Sequence, residues 1–305
     1  MPSGTFDEYI GTHINNGKLA EFLKLLVDMT PNLVREFPHR LNQKALRENR
    51  FGEATKELDN WTNEYFTQAF ISSGLVHTLY SEEIDGPVNG KKGAPFAIAM
   101  DPLDGSSNIS SNNPFGTIIG VYKNKLPAKG RDMVCALYKL YGPITTLVIA
   151  TDTGVAEFVK SRKGGDNYIV LNEDISLPEK ATVFGVGGTL TEFEPWFYKY
   201  VKYLAKEREL KLRYCGALVG DFSQVLHYGG FFGYPSTVNK QGGKLRLYLE
   251  CATMAYIMEK AGGRSSDGKQ SILDIVGKTP YDRTPFFIGN TELIDELEKR
   301  FSESI

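Results

Sequence analysis

Five apolar residues, Phe96-Ala-Ile-Ala-Met100, run without a break into Asp101. A run this short and this apolar reads as a buried strand, and its abrupt stop at a carboxylate puts Asp101 where the strand reaches a polar edge. The rest of the chain has to cover that strand. With 305 residues it can do so as one large domain or two moderate ones. Hydrophobic residues make up 41% and charged residues 24%, ordinary globular proportions that point away from a disordered or fibrous class.

Flanking segments read as alternating helix and strand. Leu19, Phe22, Leu23 and Leu26 share one helical face, which is expected to be core. A second helix is predicted over residues 52–70, with Leu58, Trp61, Tyr65 and Phe66 on one side. Asp59 and Asn63 lie on another side, so Asp59 can look away from that core toward a site. Residues 117–122, 133–140 and 144–150 read as strands, with Tyr141-Gly-Pro143 as a turn.

The polar segment 172–180 loses periodicity and contains Pro178, which places a division near residue 178 and gives halves 1–178 and 179–305. Beyond it a helix is expected around Pro195–Lys206, and strand-like pieces at Gly230–Tyr234 and 244–249. A further helix is predicted to open at Glu250, its stripe of Met254, Ile257, Met258 and Ala261 stopped by Gly262-Gly263.

Lys and Arg total 35 against 37 Asp and Glu, a formal net charge of −2 with no basic run, so nucleic-acid binding is not expected and small molecules are the expected partners. Cys135, Cys215 and Cys251 stand far apart and form no C-x-x-C pair, which fits a reducing compartment. The N-terminus lacks an apolar signal region and no stretch is long enough to span a bilayer, so a cytoplasmic location is expected, with no membrane partner.

The chemistry is concentrated in Asp101-Pro-Leu-Asp104-Gly-Ser-Ser107. Two carboxylates three residues apart at a strand exit can converge on a hard cation such as Mg²⁺. The Gly-Ser-Ser that follows offers N–H groups and hydroxyls to a phosphate. A plain Asp-Gly turn, with Asp104 bonding its own backbone, would also account for the pair. Glu82-Glu83 follows a second apolar stretch, and neighbouring carboxylates are tolerated either in solvent or around a cation. Glu53 and Asp59, six residues apart, have a solvated helix face as their plain explanation. Glu250 stands after the apolar 245–249 run, where burial without a partner would be costly. His13, His39, His77 and His227 form no cluster, which disfavours imidazole metal sites and serine triads.

Together these segments resemble the fructose-1,6-bisphosphatase and sedoheptulose-1,7-bisphosphatase family over nearly the whole chain. The resemblance rests on Ser81-Glu-Glu83, the Asp101–Asn108 motif, Arg213-Tyr214, Gly229-Gly-Phe-Phe-Gly-Tyr-Pro235 and Lys244-Leu-Arg-Leu-Tyr-Leu-Glu-Cys251, in order and spacing. It implies a layered α-β-α-β-α sandwich of the sugar-phosphatase type. It also implies two or three Mg²⁺ per site, with Mn²⁺ as a substitute, and self-association as a dimer or tetramer.

Position by position, Glu82, Asp101, Asp104 and Glu250 match the family's metal ligands, with the Leu103 carbonyl assisting. Glu83 and Asp59 match the pair that positions or deprotonates water, Glu83 also approaching a metal, and Glu53 matches an acidic position on a loop. Gly105, Ser106 and Ser107, with Asp104, match the cradle of the departing phosphate. Tyr214, Tyr234 and Lys244 match the grip on the distal phosphate, Arg246 points to the substrate, and Arg213 matches a residue that reaches a neighbouring subunit.

Two AMP-binding segments of vertebrate-type members are missing, Pro95-Phe96 standing where a Lys-Tyr pair would be, so AMP inhibition by that route is not expected. The segment Gly185-Val-Gly-Gly-Thr189 replaces a bulkier family tetrapeptide, and residues 263–284 look closer to sedoheptulose-bisphosphatases. The expected substrate is therefore sedoheptulose 1,7-bisphosphate, whose longer chain would use the room the glycines make, with fructose 1,6-bisphosphate or dual activity as the alternative.

Overall fold

The structure, a computed structural model, describes residues 4–40, 44–48, 54–161 and 168–304. The apolar run is a strand, buried throughout, and it continues past Asp101 to span Phe96–Asp104. Among the described residues it lies within an eight-stranded sheet, between Phe115–Tyr122 and Val76–Ser81. Its pairing with Val76–Ser81 is parallel, whereas that with Phe115–Tyr122 is antiparallel. Met133–Tyr141, Thr145–Thr151, Gly154–Lys160 and Tyr168–Asn172 extend the sheet as an antiparallel meander. A second sheet of five strands is built around Gly230–Tyr234, flanked by Val183–Val186 and Phe286–Gly289.

Strand alternation sorts the apolar side chains into three cores, and these define the layers. Phe96, Ile98 and Met100 face α1 (Phe6–His13), α2 (Gly17–Arg40) and α3 (Glu57–Ser72). Ala97 and Ala99 face the opposite way, into a middle core with α5 (Leu218–Tyr228) and α6 (Ala252–Lys260). In the second sheet Phe232, Phe286 and Ile288 complete that middle core. Phe231 and Phe287 alternate outward against α4 (Pro195–Lys206) and α7 (Thr291–Ser302). The result is the α-β-α-β-α layering expected. Pro195 holds the first position of α4, where its missing N–H costs nothing.

Two element predictions need correction. Helix α3 begins at Glu57, since Ala54–Lys56 instead pairs as a strand with Lys44–Glu48; residue 52 lies outside the described residues. Of residues 244–249 only Leu245–Arg246 is a strand, paired with Arg283–Thr284, and Leu247–Cys251 forms a single π-helical turn leading into α6. Every residue from Leu245 to Ala252 is buried, so the sequence offers no alternation that could separate strand from helix there.

Lys139 is fully buried between the first sheet and α2, where its Nζ donates to the Leu26 carbonyl at 2.6 Å and to the Thr30 hydroxyl. Burial pushes its amine down to about 7, against the opposing pull of Asp28.

Candidate active site

Asp101 and Asp104 lie three residues apart, so on a regular strand they would face opposite sides of the sheet. They do not, because the ladder slips: Asp101 pairs with Ile118 and Asp104 with Gly116, leaving one extra residue on the Asp strand. This bulge re-aims Asp104 to the side of Asp101. Its exposed backbone groups are satisfied locally, the Leu103 N–H by Asp101 Oδ1 at 2.9 Å and the Pro102 carbonyl by the Thr117 hydroxyl at 2.9 Å.

The parallel neighbour brings in Glu82, whose N–H bonds the Met100 carbonyl at 3.2 Å, just before Asp101. The Ser81 hydroxyl donates to Asn63 Oδ1 at 2.7 Å and receives the Glu83 N–H at 3.3 Å, fixing the Glu82-Glu83 corner to α3. One turn before Asn63, Asp59 lies buried on the same face of α3 and lines the site. From the second half, the π-helical turn delivers Glu250, whose Oε2 accepts the Arg246 N–H at 2.6 Å. π turns are frequent at functional sites.

Carboxylate oxygens of Glu82, Asp101 and Glu250 all lie within 4.8 Å of one another. Burial, then repulsion from Glu82, holds the Asp101 carboxyl well above the usual range. Burial also raises Glu250, with Glu82 adding to it and Arg246 opposing it. Asp104 is raised by burial although the N–H groups of Val219 and Leu218 pull the other way. The guanidinium of Arg246, itself buried, bonds Glu82 and sits 4.0 Å from Glu250, so it acts as the internal counter-ion of the cluster.

Immediately after Asp104, Gly105 adopts φ +75, and a Cβ there would fall 2.3 Å from that of Ala217. Only glycine permits that approach. It lets the turn Ser106–Ser111 start against the N-terminus of α5, whose Val219 N–H donates to Asp104 Oδ2 at 2.8 Å. Asp221, in the first turn of α5, accepts the N–H groups of Cys215 and Gly216 at 2.8 and 3.2 Å and so ties down the bend after Tyr214.

These groups enclose a cavity of about 290 Å³. Its wall carries the carboxylates together with Leu103, Gly105, Ser106 and Ser107, and also Tyr214, Tyr234, Lys244, Arg246 and Arg283. The Lys244 amine stands 5.3 Å from the centre of the Tyr234 ring. Arg213 lies outside the wall, exposed, with its guanidinium over Tyr228 and bonded to Gln224 at 3.4 Å. Glu53 falls outside the described residues. Sequence reasoning missed Asp221 and Arg283, whose approach to the cavity is purely tertiary.

At Gly187 the room expected of the segment Gly185–Thr189 is already filled. A Cβ on Gly187 would meet the Tyr234 ring at 2.3 Å, so this glycine accommodates a phenol ring packed on the backbone.

Residues 22–172 match the family model described as fructose-1-6-bisphosphatase, N-terminal domain, and residues 177–302 match its C-terminal domain. The chain belongs to the fructose-1,6-bisphosphatase family. It is a phosphoric monoester hydrolase of the sugar-bisphosphatase type. A fructose-1,6-bisphosphatase class 1 of Natronomonas pharaonis is 44% identical over 82% of this chain and 87% of that protein. The crystal structure of Leishmania major fructose-1,6-bisphosphatase in holo form superposes with a TM-score of 0.91 at 31% identity, covering 99% of both chains. A putative sedoheptulose-1,7 bisphosphatase from Toxoplasma gondii shares the fold, with a TM-score of 0.90 at 22% identity over 99% of both chains.

Proposed function

We propose that the protein hydrolyses the 1-phosphate of fructose 1,6-bisphosphate in a Mg²⁺-dependent reaction, with sedoheptulose 1,7-bisphosphate as the lesser substrate. One observation carries the reading: a single cavity is lined both by a converging cluster of buried carboxylates and by Lys244, Tyr214 and Tyr234, a combination suited to a metal-dependent site for a sugar with two phosphates. Relatives named fructose-1,6-bisphosphatase favour the six-carbon sugar. The Tyr234 ring packed on Gly187 removes the spatial argument for the seven-carbon one.

Glu82, Asp101, Asp104 and Glu250, assisted by the Leu103 carbonyl and Glu83, would hold Mg²⁺, two or three ions per site, with Mn²⁺ as a substitute. The donors fit, being all oxygen, mostly buried, and close enough to repel one another strongly without a cation. Bound there, the cation supplies positive charge that neutralises the phosphate and makes a water more acidic.

Asp59 and Glu83 would orient the attacking water and accept its proton. The water oxygen joins phosphorus as the bond from phosphorus to the sugar O1 breaks, and the sugar oxygen takes up the proton that the water gave to the carboxylate pair. The Gly105-Ser106-Ser107 turn holds the phosphoryl oxygens in line, while Tyr214, Tyr234 and Lys244 hold the distal phosphate. Positioning and charge supply most of the acceleration.

The same proposal includes a division near residue 178, assembly as a dimer or tetramer with exposed Arg213 reaching a neighbour, and a cytoplasmic location. Among the described residues no helix is long and apolar enough to cross a membrane. Comparing kcat/KM for the two ketose bisphosphates at equal Mg²⁺ and pH tests the substrate. A preference for fructose 1,6-bisphosphate on the order of 10-fold or more is expected, and a clear preference for the seven-carbon sugar would reverse the assignment.

A further inference from the structure

Strand Gly154–Lys160 alternates across the first sheet, Val155 entering the middle core while Ala156 and Phe158 enter the core under α1 and α2. Glu157 therefore emerges on the α5 side, opposite Val148, itself part of the middle core. Its side chain is 6% exposed. A carboxylate in such a place needs a partner. The last turn of α5 supplies one, with His227 Nε2 standing 3.0 Å from Glu157 Oε2. Across the ring, Nδ1 lies 2.7 Å from the Ser223 carbonyl one turn back, the Ser223 hydroxyl being farther at 3.4 Å. A carbonyl and a carboxylate only accept, so the imidazolium, with a proton on each nitrogen, is the form that satisfies both.

Among the described residues, the titratable side chains that the strands packed on α5 turn to this core are the phenols of Tyr122, Tyr138 and Tyr234. Burial and then the Glu157 charge hold the Tyr138 phenol protonated. Beside the helix end, Arg213 lies over the Tyr228 ring at 5.1 Å, and the backbone of 178–180 passes Gly229 with Glu179 and Lys180 exposed.

We infer that His227 is a positioning residue for the metal site: protonated and bonded to Glu157, it seats the C-terminal end of α5 on the first sheet, and the helix carries that seating to its first turn, where the Val219 N–H holds Asp104. The inference rests on the reading of Asp104 as a metal ligand. At 11 residues α5 is a rod of about 16 Å. Loss of the proton leaves either the Ser223 carbonyl or the buried Glu157 charge facing a nitrogen lone pair. The seat is complete below about pH 6.5. It is lost as pH rises through the folded value, which the hydrogen bond to Glu157 holds above that of an ordinary histidine.

The test measures, at pH 6 and pH 9, the Mg²⁺ concentration for half-maximal hydrolysis of fructose 1,6-bisphosphate and the Mg²⁺-dependent rise in Tm, in wild type, His227→Gln and His227→Arg. The arginine keeps its charge at both values. Wild type should match His227→Arg at pH 6 and His227→Gln at pH 9. At pH 9 it should need about 2- to 5-fold more Mg²⁺ than His227→Arg, the scale of one partly exposed ion pair. Glu157→Gln should behave as His227→Gln and lower the His227 titration midpoint followed by NMR, and the double variant should be no worse than either single one.

Equal Mg²⁺ requirements in wild type and His227→Arg at pH 9 would overturn the inference, and this comparison decides alone if His227→Gln does not fold. So would a His227 midpoint unmoved in Glu157→Gln, or a loss confined to the Tm without Mg²⁺, since the pair would then only hold the fold. If fructose 1,6-bisphosphate is not hydrolysed but the Mg²⁺-dependent rise in Tm shows the same crossover, the catalytic reading fails and the role of His227 stands.

Discussion

Asp104 Oδ2 accepts a 2.8 Å hydrogen bond from the backbone N–H of Val219, joining the bulged end of the Asp strand to the first turn of α5. Asp104 also lines the cavity. In Asp104→Asn the amide oxygen can still accept the Val219 N–H, so the fold should survive, as circular dichroism and an unchanged melting curve would show. Turnover should fall by at least about 100-fold, the scale for losing one preorganised charge at a reacting phosphate. Near-normal kcat at saturating Mg²⁺ would remove Asp104 from the ligand set.

Metal binding can be read without catalysis. A cation held by the buried carboxylates binds the folded chain only, so Mg²⁺ should raise Tm in wild type. Glu250→Gln should blunt the rise. Since Asp101, Asp104 and Glu250 take up protons more readily than ordinary carboxylates, the Mg²⁺-dependent increment should shrink as pH falls. An increment equal in wild type and Glu250→Gln would argue against this site.

Lys139 gives a stability prediction far from the site. Its amine is pushed down to about 7 in the fold, against about 10.4 in an unfolded chain. Below pH 7 both states carry the proton and the burial penalty is complete. Between pH 7 and about 10 the unfolded state binds the proton that the native state has released, so stability rises with pH. Lys139→Met should therefore stabilise at neutral pH by on the order of 1–3 kcal/mol. That is less than the roughly 4–5 kcal/mol the shift represents, because the bonds to Leu26 and Thr30 are lost. The gain should fade toward pH 10, and urea titrations at pH 7 and pH 9.5 check this. A destabilised Lys139→Met at both values would contradict it.

Much of this molecule was legible because its signals are local. The Leu19, Phe22, Leu23, Leu26 face is core, and α4 and the strand Gly230–Tyr234 run where periodicity and composition put them. The Asp101 and Asp104 pair was visible, but the bulge that lets both face one cavity was not, since a slipped ladder depends on a partner strand. Residues 245–252 are buried on all sides, so nothing in the pattern distinguishes a two-residue strand and a π turn from a longer strand. Gly187 misled for a related reason: a missing side chain reads as space, and only the fold shows that Tyr234 fills it. Asp221 and Arg283 carry no sequence pattern of their own; α5 and the ladder opposite Arg246 place them.

The central claim is that the carboxylate cluster removes the 1-phosphate while Lys244, Tyr214 and Tyr234 hold the other. Following fructose 1,6-bisphosphate by ³¹P NMR, with Mg²⁺ and again after chelation with EDTA, tests this directly. The account predicts stoichiometric inorganic phosphate and fructose 6-phosphate with Mg²⁺, and no turnover after chelation. Formation of fructose 1-phosphate, or equal turnover in EDTA, would contradict it.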